Sequence, residues 1–180
     1  MADEFIHVVV EIPKGSRNKY EWDPELNAIR LDRFLFSSVV YPTDYGFIPK
    51  TLAADGDPMD AMVTVSEPTF PGCVIVVKPI ALLSMSDDKG EDEKILCVPR
   101  DDPNWSLHDK LDDLPQQLRD EIEHFFSIYK QPEGKEVIMN GWRQREEAHR
   151  CIDAARRRYE EQDSDKADVT GEAPRPAVSG

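Results

Sequence analysis

Three aspartates crowd one six-residue stretch, Asp55-Gly56-Asp57-Pro58-Met59-Asp60. Its glycine and proline mark a turn, and a turn can aim several carboxylates at one point where a strand or helix would spread them over different faces. Carboxylates gathered in this way repel one another and resist ionising together. Divalent cations remove that penalty, and Mg2+ in particular prefers carboxylate oxygens plus retained waters. Taken alone, the stretch also fits a polar surface turn. It does not fit a calcium-binding EF-hand loop, which needs Asp or Asn at the fifth position, Gly at the sixth and Glu at the twelfth, where this chain has Met59, Asp60 and Ser66. A phosphatase forming an aspartyl-phosphate would run a hydrophobic strand straight into the first aspartate, and Thr51-Leu52-Ala53-Ala54 is a weak version of one.

Two further groups carry similar chemistry. Asp87-Asp88-Lys89-Gly90-Glu91-Asp92-Glu93-Lys94 lies between two apparent strands and by itself reads as a charged hairpin. Near the start stand Glu11-Ile12-Pro13 and Lys19-Tyr20-Glu21, with Lys19 and Glu21 two apart and so on one face of a strand. Arg33, Tyr41, Tyr45, Tyr129 and Lys130 have the cationic and phenolic groups that hold phosphate oxygens.

The elements that must position these groups are β-rich in the first two-thirds of the chain. Phe5 to Ile12 reads as an apolar strand ending at Pro13, and Ile29 to Phe34 alternates apolar with charged, the period of a half-buried strand. Met62 to Val65, Val74 to Leu83 and Lys94 to Val98 are further strands. Turn-rich stretches separate them at Pro42 to Gly46, Asp55 to Pro58, Pro68 to Gly72 and Asp87 to Gly90, a pattern that predicts a small closed barrel. The last third is helical. Leu118, Ile122, Phe125, Phe126 and Tyr129 form a stripe at spacings of three and four between Pro115 and Lys130, and Gln131-Pro132-Glu133-Gly134 stops that helix. A second helix is expected from about Arg143 to Gln162, docking through Ala148, Cys151, Ile152, Ala155 and Tyr159.

Length and composition set the bounds. At 180 residues and 39% hydrophobic, one domain over 1–162 is expected, with an acidic, disordered tail over 163–180. The formal charge of −14 disfavours nucleic acid and anionic membrane as partners. Met1-Ala2-Asp3-Glu4 is acidic where a secretory leader would be basic, and the longest apolar runs fall far short of the roughly 20 residues that span a bilayer. Cys73, Cys97 and Cys151 are far apart and odd in number, which suggests buried thiols and a cytoplasmic location. His7, His108, His124 and His149 show no metal-ligand spacing.

Taken in order, Glu11-Ile12-Pro13, Lys19-Tyr20-Glu21, Leu31-Asp32-Arg33-Phe34, Tyr41-Pro42-Thr43-Asp44-Tyr45-Gly46, Asp55 to Asp60, Asp87 to Lys94 and His124 to Lys130 resemble the motifs of the family I soluble inorganic pyrophosphatases, bacterial type, from about Phe5 to Gln162. The resemblance implies an α+β, mainly β fold: an OB-like five-stranded closed barrel with two main flanking C-terminal helices. It implies hydrolysis of pyrophosphate to two orthophosphates by direct attack of a metal-activated water, with several Mg2+ ions per site (Mn2+ or Zn2+ as substitutes) and no covalent phosphoenzyme. By motif, Asp55, Asp60 and Asp92 correspond to core metal ligands and Asp87 to a ligand for a metal arriving with substrate. Glu11 and Glu21 correspond to outer carboxylates. Asp57 corresponds to the base beside the attacking water, with Asp92 the other candidate for that role. Lys19, Arg33, Tyr45, Lys94, Tyr129 and Lys130, with Tyr41 close by, correspond to the phosphate-binding set. Bacterial members imply a homo-oligomer, commonly a hexamer. The competing readings are an OB-like single-strand nucleic-acid module, disfavoured by the carboxylates among its aromatics, and a two-metal phosphoesterase for organic phosphates.

Overall fold

The long apolar run beginning at Val74 is the spine of the fold. The computed structural model describes residues 4–170. Strands β1 (Ile6–Ile12), β2 (Asn18–Asp23), β3 (Ala28–Phe34), β4 (Asp44–Ile48), β5 (Met59–Val63), β6 (Val74–Asp87), β7 (Gly90–Pro99) and β8 (Ile138–Gln144) combine with helices α1 (Gln116–Ile128) and α2 (Arg145–Thr170). Five strands run in the order β1-β4-β5-β7-β6, and pairing of β6 back onto β1 closes the ring. β8 adds to the outside edge of β6, and β2 and β3 form a separate two-stranded hairpin. All pairs in the ring are antiparallel except β5 with β7.

Burial on both faces explains the apolar runs. Met62 of β5 and Leu96 and Val98 of β7 pack in a core shared with Ile122, Phe125 and Phe126 of α1. Their neighbours Ala61, Val63, Ile95 and Cys97 point the other way, into a core shared with Ala148, Ile152 and Ala155 of α2. The three α2 residues recur at spacings of four and three, one helical stripe.

The differences from expectation have local causes. Pro42 to Gly46 predicts a turn, yet Asp44 to Gly46 opens β4. Gly46 is needed there because β4 approaches β1 so closely that a Cβ would lie 1.9 Å from the Val9 carbonyl oxygen. Asp44 is fully buried and accepts from the Lys14 backbone at 2.8 Å and the Thr69 hydroxyl at 2.5 Å. Arg143 and Gln144, expected as the first turn of the second helix, close β8 instead. α2 then continues eight residues past Gln162, into the stretch expected as tail. Its sequence contains no helix breaker before Gly171, so charge there marks a solvated helix rather than a coil. Residues 171–180 of the expected tail lie outside the described residues. Among the described residues no helix is long and apolar enough to cross a membrane. Of the thiols, Cys97 is buried and Cys73 and Cys151 are half-buried.

Candidate active site

Lys94 is the hub. Its side chain is 1% exposed, and its ammonium donates to Tyr45 Oη at 2.8 Å, Asp92 Oδ1 at 2.9 Å and Asp60 Oδ2 at 3.0 Å. Strand pairing makes this possible: Asp60 stands opposite Lys94 in the parallel β5–β7 register, and Asp92 lies two residues earlier on the same face of β7. Burial alone would push Lys94 toward the neutral amine, but Asp60, then the tyrosine oxygens and Asp92, outweigh it and hold its proton well above the ordinary lysine range.

The end of α1 brings a second ammonium to the same place. Lys130 lies 2.7 Å from Asp87 Oδ2 and 3.6 Å from Asp92 Oδ2. Burial opposes its charge, yet Tyr129, Asp87 and Asp92 raise its proton affinity. Asp87 caps the β6–β7 hairpin; burial would raise its pKa, but Lys130 and the Lys89 backbone bond draw it below the usual carboxylate value. Tyr41 and Tyr45 are buried, and burial pushes both phenols up. Tyr41 sits 4.6 Å from Phe125, ring to ring, and Tyr129 stacks on Phe125 at 5.4 Å. α1 therefore lays its aromatic face beneath the polar pocket.

The β2–β3 hairpin supplies a second group of charges. Lys19 Nζ contacts Glu21 at 2.5 Å and Asp32 at 3.1 Å. Asp32 also stands 3.3 Å from Arg33 Nε, while Arg33 Nη1 reaches Glu133 at 2.7 Å. Glu11 on β1 accepts from the Trp22 backbone at 2.8 Å, which ties the hairpin to the barrel. Asp55 and Asp57 lie exposed on the loop before β5, where the Asp57 backbone donates to Asp55 Oδ1 at 3.0 Å. Burial first, then the charges of Asp55 and Asp60, raise Asp57 above the ordinary aspartate value.

Two contact networks and the Asp57 loop thus lie near Asp60. Tyr45, Asp60, Asp87, Asp92, Lys94 and Lys130 form one contact network, and Lys19, Glu21 and Arg33 a second. Asp57 is within electrostatic reach of both Asp60 and Glu21. Among the described residues no three carboxylates close into a ready-made metal cage, because Lys94 stands between Asp60 and Asp92 while Asp55 faces its own turn.

This arrangement coincides with a family match. A model described as inorganic pyrophosphatase matches residues 8–160. The chain belongs to the inorganic pyrophosphatase family. An inorganic pyrophosphatase of Methanosarcina mazei is 59% identical over 155 residues, 86% of this chain and 92% of that one. The crystal structure of inorganic pyrophosphatase from Thermus thermophilus superposes with a TM-score of 0.85 at 45% identity, covering 88% of this chain and 93% of that one. A truncated Trypanosoma cruzi vacuolar soluble pyrophosphatase, solved in complex with PPi, is similar at TM-score 0.79 and 25% identity, over 91% of this chain and 72% of that one. The pyrophosphatase fold expected from the sequence is the fold observed, a ring of five strands with two C-terminal helices.

Sequence reasoning passed over Asp32. It lay inside a quoted motif, but its bridging of Lys19 and Arg33 depends on the hairpin register, in which Lys19 opposes Arg33. Glu11 carries a measurable consequence for this pyrophosphatase chain. Burial, opposed by its bond to the Trp22 backbone and reinforced by Asp60 and Glu21, raises its pKa from 4.5 to about 7. A carboxyl raised on folding binds its proton more tightly in the folded chain, so stability contributed below pH 4.5 is lost as pH rises toward 7. In chelator at pH 8, Glu11→Gln is expected to be more stable than wild type by up to ~3 kcal/mol, at about 1.4 kcal/mol per pKa unit. At pH 4 the gap should close. Urea unfolding at both pH values checks this, and equal midpoints at pH 8 would refute the burial argument.

Proposed function

We propose that the chain hydrolyses inorganic pyrophosphate to two orthophosphates, with no covalent intermediate. The observation that carries this reading is the convergence on Asp60, where Lys94 joins Asp60, Asp92 and Tyr45, and Lys130 joins Asp92 to Asp87. Family membership and the PPi complex of the Trypanosoma cruzi relative support it.

Mg2+ fits the donor set. Asp57 feels the charges of Asp55, Asp60 and Glu21, and Glu11 those of Asp60 and Glu21, and these repulsions add to burial in raising both carboxyls. Hard oxygens of this kind suit Mg2+, with Mn2+ or Zn2+ as substitutes. Asp55, Asp60 and Asp92 would hold the core ions, Asp87 an ion accompanying substrate, and Glu11 and Glu21 outer positions. Bound there, the ions would neutralise the polyanion and acidify water.

The side chains do the rest. Lys19 and Arg33 on the hairpin and Lys130, Tyr45 and Tyr129 on the barrel side bind phosphate oxygens from two directions, with Tyr41 packing behind them and Lys94 holding Tyr45, Asp60 and Asp92 in place. A water oxygen attacks one phosphorus and its proton passes to Asp57. The bond from that phosphorus to the bridging oxygen breaks, and the bridging oxygen leaves with the second phosphate, its charge met by Arg33, Lys19 and Lys130. Asp57 suits the base better than Asp92, because its proton affinity is raised whereas both Asp92 oxygens already face ammonium groups.

The same reading makes the chain a cytoplasmic homo-oligomer, a hexamer by family resemblance. Leu31, Phe34 and Phe36, on and beside the hairpin, are each more than half exposed, which suits contact between copies.

One set of measurements tests it. Phosphate should be released from pyrophosphate in Mg2+ and not in chelator, and far more slowly from a nucleotide or a sugar phosphate. Millimolar Mg2+ should raise Tm through binding linkage, and light scattering should report more than one copy. Preference for the organic phosphates would favour a phosphoesterase instead, and a Tm indifferent to Mg2+ would remove the metal site.

A further inference from the structure

Glu133 plays no part in the reaction as described, yet it contacts a group that does. It ends a 3-10 turn, Gln131–Glu133, that starts immediately after Lys130. The Glu133 backbone donates to the Lys130 carbonyl at 3.1 Å, and Gly134 leaves the turn with φ of 71°, a left-handed conformation that glycine adopts at no steric cost. The position of Glu133 is thereby fixed relative to Lys130. Its carboxylate is only 18% exposed and lies 2.7 Å from Arg33 Nη1, with Lys135 at 3.8 Å.

Arg33 rides on the β2–β3 hairpin, which shares no strand pairing with the barrel. The Arg33–Glu133 pair therefore spans the pocket between two elements that each bring phosphate-binding groups: the hairpin with Lys19 and Arg33, and the turn with Lys130. A guanidinium has five N–H donors. Glu133 engages Nη1, while the buried Nε faces Asp32 of the same hairpin at 3.3 Å. The guanidinium is thus held between Asp32 on its own hairpin and Glu133 on the turn, and the Glu133 contact ties it to the Lys130 side.

We propose that Glu133 is a positioning residue: it holds the Arg33 guanidinium at a fixed distance from Lys130, so that a pyrophosphate is gripped from both elements without first ordering the hairpin. The role rests on pyrophosphate as the substrate. Glu133 does not touch the substrate, since a carboxylate in that place would repel it unless paired with Arg33. Preorganisation of this kind acts on binding more than on the chemical step.

The test is a cycle of variants assayed in Mg2+. Glu133→Ala should raise KM for pyrophosphate about tenfold and change kcat by less than about threefold. Glu133→Gln, which keeps the length and an oxygen acceptor, should recover most of that loss. In an Arg33→Ala background, Glu133→Ala should move KM by less than about twofold, because the residue it positions is gone. An unchanged or lowered KM in Glu133→Ala, or the same tenfold rise with Arg33 absent, overturns the proposal. Hydrogen exchange across residues 18–34 gives an arm independent of activity. It should quicken in Glu133→Ala relative to wild type and Glu133→Gln, and equal exchange overturns the inference. A wild-type chain that releases no phosphate would instead sink the substrate reading itself.

Discussion

Asp57→Asn is expected to lower turnover on pyrophosphate by at least about 10²-fold, the usual scale for a positioned base, while leaving the melting temperature at or above wild type. Asp57 is exposed and its carboxylate is crowded by Asp55 and Asp60. Asparagine keeps the shape of the turn, including the backbone bond to Asp55 Oδ1, and removes one repelling charge. The expected pH dependence has a definite sign. Burial and the neighbouring aspartates raise the Asp57 pKa, and a base must be deprotonated to act. Activity should therefore fall as pH drops through that raised value, and the variant should lose this acid limb. Asp60→Asn should lose at least about as much, since it also removes the negative charge that faces Lys94. Near-normal turnover in Asp57→Asn with activity abolished in Asp92→Asn would transfer the base to Asp92.

How much of this was legible in the sequence depended on whether residue type or strand pairing carried the information. Lys94 to Val98 and Val74 to Leu83 were readable as strands because both faces are covered over most of their length, leaving the apolar runs Ile80 to Leu83 and Ile95 to Val98. β4 was not, because Pro42, Thr43, Asp44 and Gly46 are turn residues by chemistry. Only the folded chain shows that Asp44 is satisfied by Lys14 and Thr69, and that Gly46 gives way to the Val9 carbonyl. β8 was missed for a related reason. It is an edge strand with Asn140 and Gly141 at its centre, and the helical reading of Arg143 extended over its end.

The site divides in the same way. Aspartates in a turn, and lysines, arginine and tyrosines in order along the chain, could be named as candidates before any fold was known. Their mutual placement could not. Asp60 meets Lys94 because two strands 34 residues apart pair in parallel, and Lys130 meets Asp87 across 43 residues. The burial of Lys94 was also hidden, since a lysine on a strand ordinarily faces water. What draws it inward is the local excess of oxygen, and that excess exists only after β4, β5 and β7 have come together.

That dependence gives Lys94 the second large expected effect. Lys94→Met fills similar volume without charge, and leaves Asp60, Asp92 and the Tyr45 hydroxyl without their shared donor. Removing one partner of a buried ion pair costs about 3–5 kcal/mol. Asp60 is 34% exposed and can recover some hydration, which places the expected loss near ~3 kcal/mol, measured by urea unfolding in chelator. Turnover should fall by at least about 10²-fold, because displacement of groups near a reacting centre by even ~1 Å has that consequence. The two effects can be separated. In the variant, Asp60 and Asp92 keep their negative charge with one fewer ammonium beside them, so a divalent cation has more repulsion to relieve. The rise in Tm on adding Mg2+ should then be at least as large in Lys94→Met as in wild type, while activity stays low. A variant as stable as wild type in chelator would show that the Lys94 network does not hold the pocket together. A variant that lost its response to Mg2+ altogether would show that Lys94 is needed to shape the carboxylates as ligands, and not only to balance their charge.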